Sequence, residues 1–266
     1  MKIVVCVKQI IDPEIPSAKF EIDEKAKKVV PPEGIPPVIN PFDAQAIEMG
    51  IRIKEAYGGS LLVLAAGSKA CMETVRYSMA MGADEGIIIQ HNTEEDFDGF
   101  LTAYILSEGI KKIGDYDLIL CGRQAADWDR GIVGSVIAAY LNIPSITLAI
   151  SIKMKNERII IERALDDGVQ ILESSLPILI TVGSEIGKPR IPTGIGIISA
   201  ARKKITFLNL ENIQINAQEL EILKNRSKLV NLYLPKIARK CEIIKGKDKF
   251  EIVAQLARRI KDLINV

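Results

Sequence analysis

The chain has 266 residues, 48% hydrophobic and 26% charged, which suits one large α/β domain or one domain with an appendage. Its 35 basic and 34 acidic residues nearly cancel and aromatics reach only 5%, which argues against nucleic-acid binding and against a stacking platform for single strands. The single histidine, His91, removes most histidine-based metal sites and nucleophile triads, and with them a conventional hydrolase.

The opening run MKIVVCVKQI is too short to span a membrane, and no small-residue cleavage site follows it. The four cysteines, Cys6, Cys71, Cys121 and Cys241, lack metal-ligand spacing. A reduced cytoplasmic compartment without membrane insertion is the expectation. Ile3–Val7 reads as the first strand. The segment Asp12–Pro41 then interrupts with seven prolines and a small hairpin at Phe20–Val30, reading equally as a surface loop or as part of an interface or site. Helical spacing follows at Asp43–Ala56, Ala70–Met81, Phe100–Ile113 and Ile132–Leu141. Between these lie the apolar strands Leu61–Ala65, Gly86–Gln90 and Leu118–Cys121. Such alternation predicts an α/β fold of three layers, a mostly parallel sheet flanked by helices.

From Ile143 the chain turns β-rich, with strands expected at Ser145–Lys155, Arg158–Leu165, Val169–Glu173 and Pro177–Val182. An irregular stretch, Lys188–Gly194, precedes a helix at Ile197–Lys203. Leu208–Lys247 has no sustained period and reads as an extended arm. Lys249–Ile264 is an amphipathic helix with Ile252, Leu256, Ile260 and Leu263 on one stripe. The division expected is a nucleotide-binding domain over 1–207 and, over 208–266, an arm and helix packing on a partner or, nearly as well, back on that domain.

Parallel α/β sheets bind ligands at the carboxyl ends of their strands. Four such places stand out: Cys6, Val7, Lys8 and Gln9; Asn40, Pro41, Phe42 and Asp43; Ala65, Ala66, Gly67 and Ser68; and the run from Cys121 to Gly131. In the last, Gly122, Ala125 and Ala126 allow close backbone approach, Arg123 and Arg130 can pair with phosphate, and Gly131 opens a helix. Asp127 and Asp129 can accept from ribose hydroxyls or cap that helix. An adenine-nucleotide or pyrophosphate site is favoured over a structural loop, although neither G-x-G-x-x-G nor a P-loop is present. Cys6 and Cys121 read as small buried thiols. Trp128 reads equally as a stacking ring or an interface wedge, and Lys8 and Arg163 as neighbours of a bound phosphate or ligand ring or as salt-bridge partners.

VCVKQIID, NPFDAQAIEMGIRIKE, MAMGADEGIII, CGRQAADWDRG and IERALDDGVQILESSLPILITV together resemble the beta subunits of electron-transfer flavoproteins, in that family's order. The resemblance runs from Lys2 to about Lys204. It implies an adenine-nucleotide alpha-hydrolase-like fold and pairing with an alpha subunit whose FAD shuttles electrons. It also implies a second nucleotide in this chain, either AMP in the simple type or a second FAD together with NAD(H) in the bifurcating type. The nucleotide contacts would fall on Cys6, Val7, Lys8, Asn40, Pro41, Phe42, Asp43, Ala66, Gly67 and Cys121. They continue through Gly122, Arg123, Gln124, Ala125, Asp127, Trp128, Asp129, Arg130, Gly131, Ile132 and Val133, with Thr102 near an FAD phosphate. A partner-recognition loop would map to Pro189–Ile198, with Gly194 where the family has a leucine. Trp128 and Arg130 stand where the family loop has a glycine and a threonine, so the resemblance does not supply the phosphate contact of a hydroxyl, and Arg130 would be its replacement. The proline-rich excursion and the last helix favour the bifurcating branch, working with a flavin-dependent hydroxy-acid or acyl-CoA dehydrogenase and with a ferredoxin as a further acceptor. The rivals are a simple AMP-bound carrier, an ATP-binding universal-stress-like regulatory homodimer, and an adenylate-forming or pyrophosphatase-type enzyme. The long arm argues against the regulatory module, and the lack of a pyrophosphate loop argues against the last.

Overall fold

The chain builds one sheet in which each central strand splits its residues between two cores, as a period of two requires. The computed structural model of the chain describes residues 1–91, 98–156, 158–235 and 241–264. In β1 (Lys2–Val7), Ile3, Val5 and Val7 enter one core while Val4 and Cys6 enter the other. The same division holds in β6 (Ser60–Gly67), β8 (Leu118–Gly122) and β12 (Ile178–Val182). Near-continuous burial on both faces is what these apolar runs demand.

Between β1 and the first helix lie four short strands, β2 (Gln9–Ile10), β3 (Glu21–Asp23), β4 (Lys28–Val30) and β5 (Val38–Ile39). They pair as β2 with β5 and β3 with β4, both antiparallel, so the expected small hairpin is present. The remaining strands are β7 (Glu85–Gln90), β9 (Ser145–Lys155), β10 (Arg158–Leu165), β11 (Gly168–Ser174) and β13 (Ile205–Asn209). Among the described residues the main sheet has nine strands in the order β11-β10-β9-β12-β8-β1-β6-β7-β13. It is parallel from β9 to β13, and β10 is antiparallel to both of its neighbours. The sheet is therefore mostly parallel, as the alternation predicts.

Helices cover both faces. α1 (Pro41–Tyr57), α2 (Met72–Met81) and α5 (Gly194–Arg202) close one core; α3 (Gly99–Ile113), α4 (Val133–Leu141) and α6 (Ala217–Arg226) close the other. α7 (Lys249–Ile264) has no buried residue. The strands β1, β6, β7 and β8 all end on one edge of the sheet, and α1 to α4 begin there.

The structure differs from the sequence reading at two places. α5 starts at Gly194 rather than Ile197, because the Thr193 hydroxyl accepts from the Gly196 N–H at 3.1 Å and caps the helix early. Leu208 and Asn209 are not arm but the end of β13, which pairs parallel with β7. α6 follows, with Leu223 buried against the α3 side, and the Tyr104 hydroxyl accepts from Asn216 N–H at 2.8 Å. From Ser227 to the start of α7 the described residues have no regular structure.

Candidate functional site

Asn40 is the residue on which the carboxyl edge is assembled. It precedes α1, is 1% exposed, and does not spend its side chain on capping its own helix. Its backbone N–H donates to Lys8 O at 2.9 Å, its Nδ2 donates to Gln124 O at 2.8 Å, and its Oδ1 accepts from Ala126 N at 3.2 Å. One buried amide thus joins the end of β1, the start of α1 and the loop after β8. Asp43, one turn into α1, makes a parallel join: its carboxylate accepts from Lys8 N at 2.8 Å and Gly122 N at 3.1 Å. Burial raises its pKa to about 7 against the pull of those N–H groups, Asn40 and Lys8. Gly122 is required here because a Cβ would stand 2.5 Å from Asp43 Oδ1 and 2.6 Å from the Phe42 carbonyl carbon.

The loop itself, 122–131, folds back on its own residues. Asp129 sits at φ +50° and Gly131 at φ +63°. Asp129 N donates to Ala125 O at 2.8 Å, and Gln124 Nε2 donates to Asp129 Oδ1 at 2.7 Å. Lys8 Nζ reaches Asp127 Oδ2 at 2.5 Å, closing the loop over the end of β1. The Arg123 guanidinium lies 4.8 Å from the Phe42 ring centroid, and its buried Nε has no hydrogen-bond partner among the described residues. Arg130 lies 5.8 Å from the ring of Trp128, which is 38% exposed. α4 then begins at Val133 with Ile132 as its cap residue and no side-chain cap, so its first N–H groups are unclaimed by any capping side chain.

The edge thus gathers Cys6 to Lys8, Asn40 to Asp43 and Cys121 to Val133, although these lie up to 127 positions apart in the chain. Other expected residues serve the scaffold. The carbonyl of Gly67 accepts from His91 N at 3.2 Å, and a Cβ there would meet Cys71 Sγ at 2.5 Å, so Gly67 is a close turn into α2. Ala66 lies beside it on β6. The Thr102 hydroxyl donates to Asp98 O at 2.9 Å within the first turn of α3. That turn reaches the loop, since a Cβ on Gly99 would touch the Ile132 side chain at 2.9 Å. Cys6 and Cys121 are each 5% exposed, and their mutual hydrogen bond and burial push the Cys121 thiol well above its ordinary value. Neither forms a disulfide, and both are buried strand residues.

The sequence reading missed the chain's return to this edge after α6. Ser227 Oγ donates to Asp98 Oδ2 at 2.6 Å, the Arg226 guanidinium stacks 3.4 Å from the Phe100 centroid, and Lys27 Nζ donates to Leu229 O at 3.2 Å. No periodic signal marks this stretch, since its contacts are to residues far off in the chain.

An unpartnered guanidinium nitrogen, two further cations and an uncapped helix start form a donor set that suits phosphate. The model of the electron transfer flavoprotein domain matches residues 28–212. The electron transfer flavoprotein subunit beta of Thermoanaerobacterium thermosaccharolyticum is 36% identical over 261 residues, covering 98% of each chain. The chain belongs to the electron transfer flavoprotein beta-subunit family. Subunit CarD of the caffeyl-CoA reductase-Etf complex of Acetobacterium woodii is 32% identical, again over 98% of each chain. The acryloyl-CoA reductase electron transfer subunit gamma of Anaerotignum propionicum is 34% identical over 80% of this chain and 79% of its own.

Electron transfer flavoprotein beta subunits act as half of a heterodimer with an alpha subunit. Among the described residues, apolar side chains are open around α5 and on α7, as they are on β11 and after α6. Ile191 and Ile195, flanking the start of α5, are 84% and 83% exposed, and Leu256, Ile260 and Leu263 on α7 are 46%, 47% and 76% exposed. Among the described residues no helix is long and apolar enough to cross a membrane, and no group of three His, Cys, Asp or Glu can hold a metal ion.

Proposed function

We propose that this chain is the nucleotide-holding half of a cytoplasmic electron carrier that binds a second FAD, exchanges electrons with NAD(H) and works by flavin-based bifurcation or confurcation. The observation that carries the nucleotide site is the orphaned Nε of Arg123 on the loop that leads into the uncapped start of α4. Bound there, a flavin nucleotide supplies the redox chemistry. The chain's own residues bind, orient and insulate. Arg123, Lys8 and Arg130 supply positive charge for the phosphates, and the first N–H groups of α4 supply donors. The Trp128 ring offers a face at the loop's surface. Asn40 and Asp43 fix the loop to β1 and α1, so the distance between nucleotide and sheet is set by buried hydrogen bonds. Cys6 and Cys121, buried and outside any disulfide, take no redox role in this reading.

Two relatives carry names of CoA-thioester reductase complexes, which favours a flavin-dependent dehydrogenase of the acyl-CoA type over the hydroxy-acid type as partner, with ferredoxin as a further acceptor. The partner docks on the apolar loop around Ile191 and Ile195. The segment from Ser227, with α7, packs on the alpha subunit and hides an apolar stripe that no described residue of this chain buries.

A second reading, the simple AMP-binding carrier, is favoured by Thr102. Its hydroxyl proton is committed to the Asp98 carbonyl and is not offered to a second phosphate. Co-expression with the alpha subunit, acid release of nucleotides and their count per heterodimer separate the two. Two FAD and no AMP support the bifurcating reading, and one FAD with one AMP supports the second. No flavin, with ATP on a homodimer, overturns both. Asp129→Ala and Arg130→Ala should each lower nucleotide occupancy without unfolding, and unchanged occupancy in both would move the site elsewhere.

A further inference from the structure

The stretch that presents Ile191 and leads into α5, where Ile195 lies, has almost no core of its own. Gly187 to Thr193 contains no regular element, and both isoleucines point to solvent. An arginine in its middle ties it to α1. Arg190 donates from its backbone N at 3.1 Å and its Nε at 2.8 Å to Glu48 Oε2, and from Nη2 to Glu48 Oε1 at 3.3 Å. It also forks onto Glu55, Nη1 to Oε1 at 2.6 Å and Nη2 to Oε2 at 3.0 Å.

Glu48, Arg52 and Glu55 sit at one helical stripe of α1, spaced four and then three residues apart. Arg52 completes the set, with Nε on Glu48 Oε1 at 2.8 Å and Nη1 on Ile186 O at 3.1 Å. Glu48 is 4% exposed, and a buried carboxylate is tolerated only when paired. Burial opposes its ionisation, yet the two arginines outweigh that and hold it below the usual carboxylate range. Exposed ion pairs contribute little, whereas forked contacts to a buried carboxylate fix geometry. Since α1 begins with Asn40 and Asp43, the helix that carries the clamp also forms a wall of the nucleotide edge.

We propose that Arg190 is a positioning residue for partner docking: its fork on Glu48 and Glu55 holds Ile191, and the entry to the α5 helix that carries Ile195, in the geometry a partner flavin dehydrogenase reads. The inference rests on the docking reading of that loop given above. The clamp touches neither nucleotide nor partner, so its loss should change how well the partner is recognised and not what happens once it is bound.

The test uses the heterodimer and whichever flavin dehydrogenase, acyl-CoA or hydroxy-acid, reduces the unaltered protein. Flavin reduction is followed by absorbance at varied heterodimer concentration. Arg190→Met should raise the KM for heterodimer about tenfold and leave kcat within about twofold, with nucleotide content unchanged. Amide exchange across 191–198 should quicken in the same variant. Arg190→Lys, which keeps the charge and loses the fork, should fall between the two. Ile195→Asp probes docking itself. If Ile195→Asp raises KM and Arg190→Met does not, the clamp is refuted and the docking reading stands. If Ile195→Asp leaves KM unchanged, the docking reading falls and takes the clamp with it. Should Arg190→Met fail to fold, Glu55→Gln replaces it on a half-exposed carboxylate: a KM raised about threefold supports positioning, and an unchanged KM makes Arg190 a purely structural pin.

Discussion

Replacing Asp43 by asparagine should alter stability in a way that depends on pH. The carboxyl is fully buried and its pKa stands at about 7 in the fold, against an ordinary 3.8. The folded state therefore holds the proton more tightly than the unfolded chain. Stability from this source is complete below about pH 4 and is lost as pH rises through 7. At about 1.4 kcal/mol per unit, the gap amounts to about 4 kcal/mol, of which about 2.5 falls between pH 5 and pH 8. An asparagine has no such titration. It keeps one oxygen to accept from Lys8 N or Gly122 N and turns an N–H group toward the other, which costs about 1–3 kcal/mol at every pH. Asp43→Asn should then be less stable than the unaltered protein at pH 5, and the difference should move by about 2.5 kcal/mol in the variant's favour by pH 8. Urea unfolding of both proteins at equal concentration, followed by circular dichroism at half-unit pH steps, reads this directly. A difference that stays constant from pH 5 to pH 8 would refute the claim that Asp43 is buried as a titrating acid.

Gly122→Ala should destabilise by about 1–3 kcal/mol and lower nucleotide content, because the new Cβ meets the carboxylate and backbone of α1; a thermal midpoint equal to the parent's counts against that contact. Arg123→Met keeps an apolar stem on Phe42 and removes the unpartnered Nε, so the fold should persist while affinity for AMP or FAD in equilibrium dialysis falls about tenfold. A chain ending at Lys247 loses α7, none of whose residues is buried, and its midpoint should move by less than about 3 °C. The same truncation should reduce heterodimer recovered by gel filtration, and full recovery would remove α7 from the subunit interface.

What the sequence determined by itself was everything set by local periodicity. Ile3 to Val7 and Leu118 to Cys121 are legible as strands because both faces must be apolar, and α1 to α4 because their apolar residues recur on one side. The small and charged residues from Gly122 to Gly131 were legible as a ligand loop for a related reason, since backbone approach needs glycine and phosphate needs a cation. Tertiary structure alone decided which residues meet. Asn40 is an ordinary helix cap in sequence, yet its amide is spent on Gln124 and Ala126 more than 80 positions away. Arg190 reads as one more loop charge until Glu48, 142 positions earlier, is seen to be buried beneath it. β13 escaped notice because an edge strand needs little apolar surface and takes its hydrogen bonds from β7. Hydrogen bonds between distant segments leave no period in a chain, so they become visible only when the sheet has brought those segments to one edge.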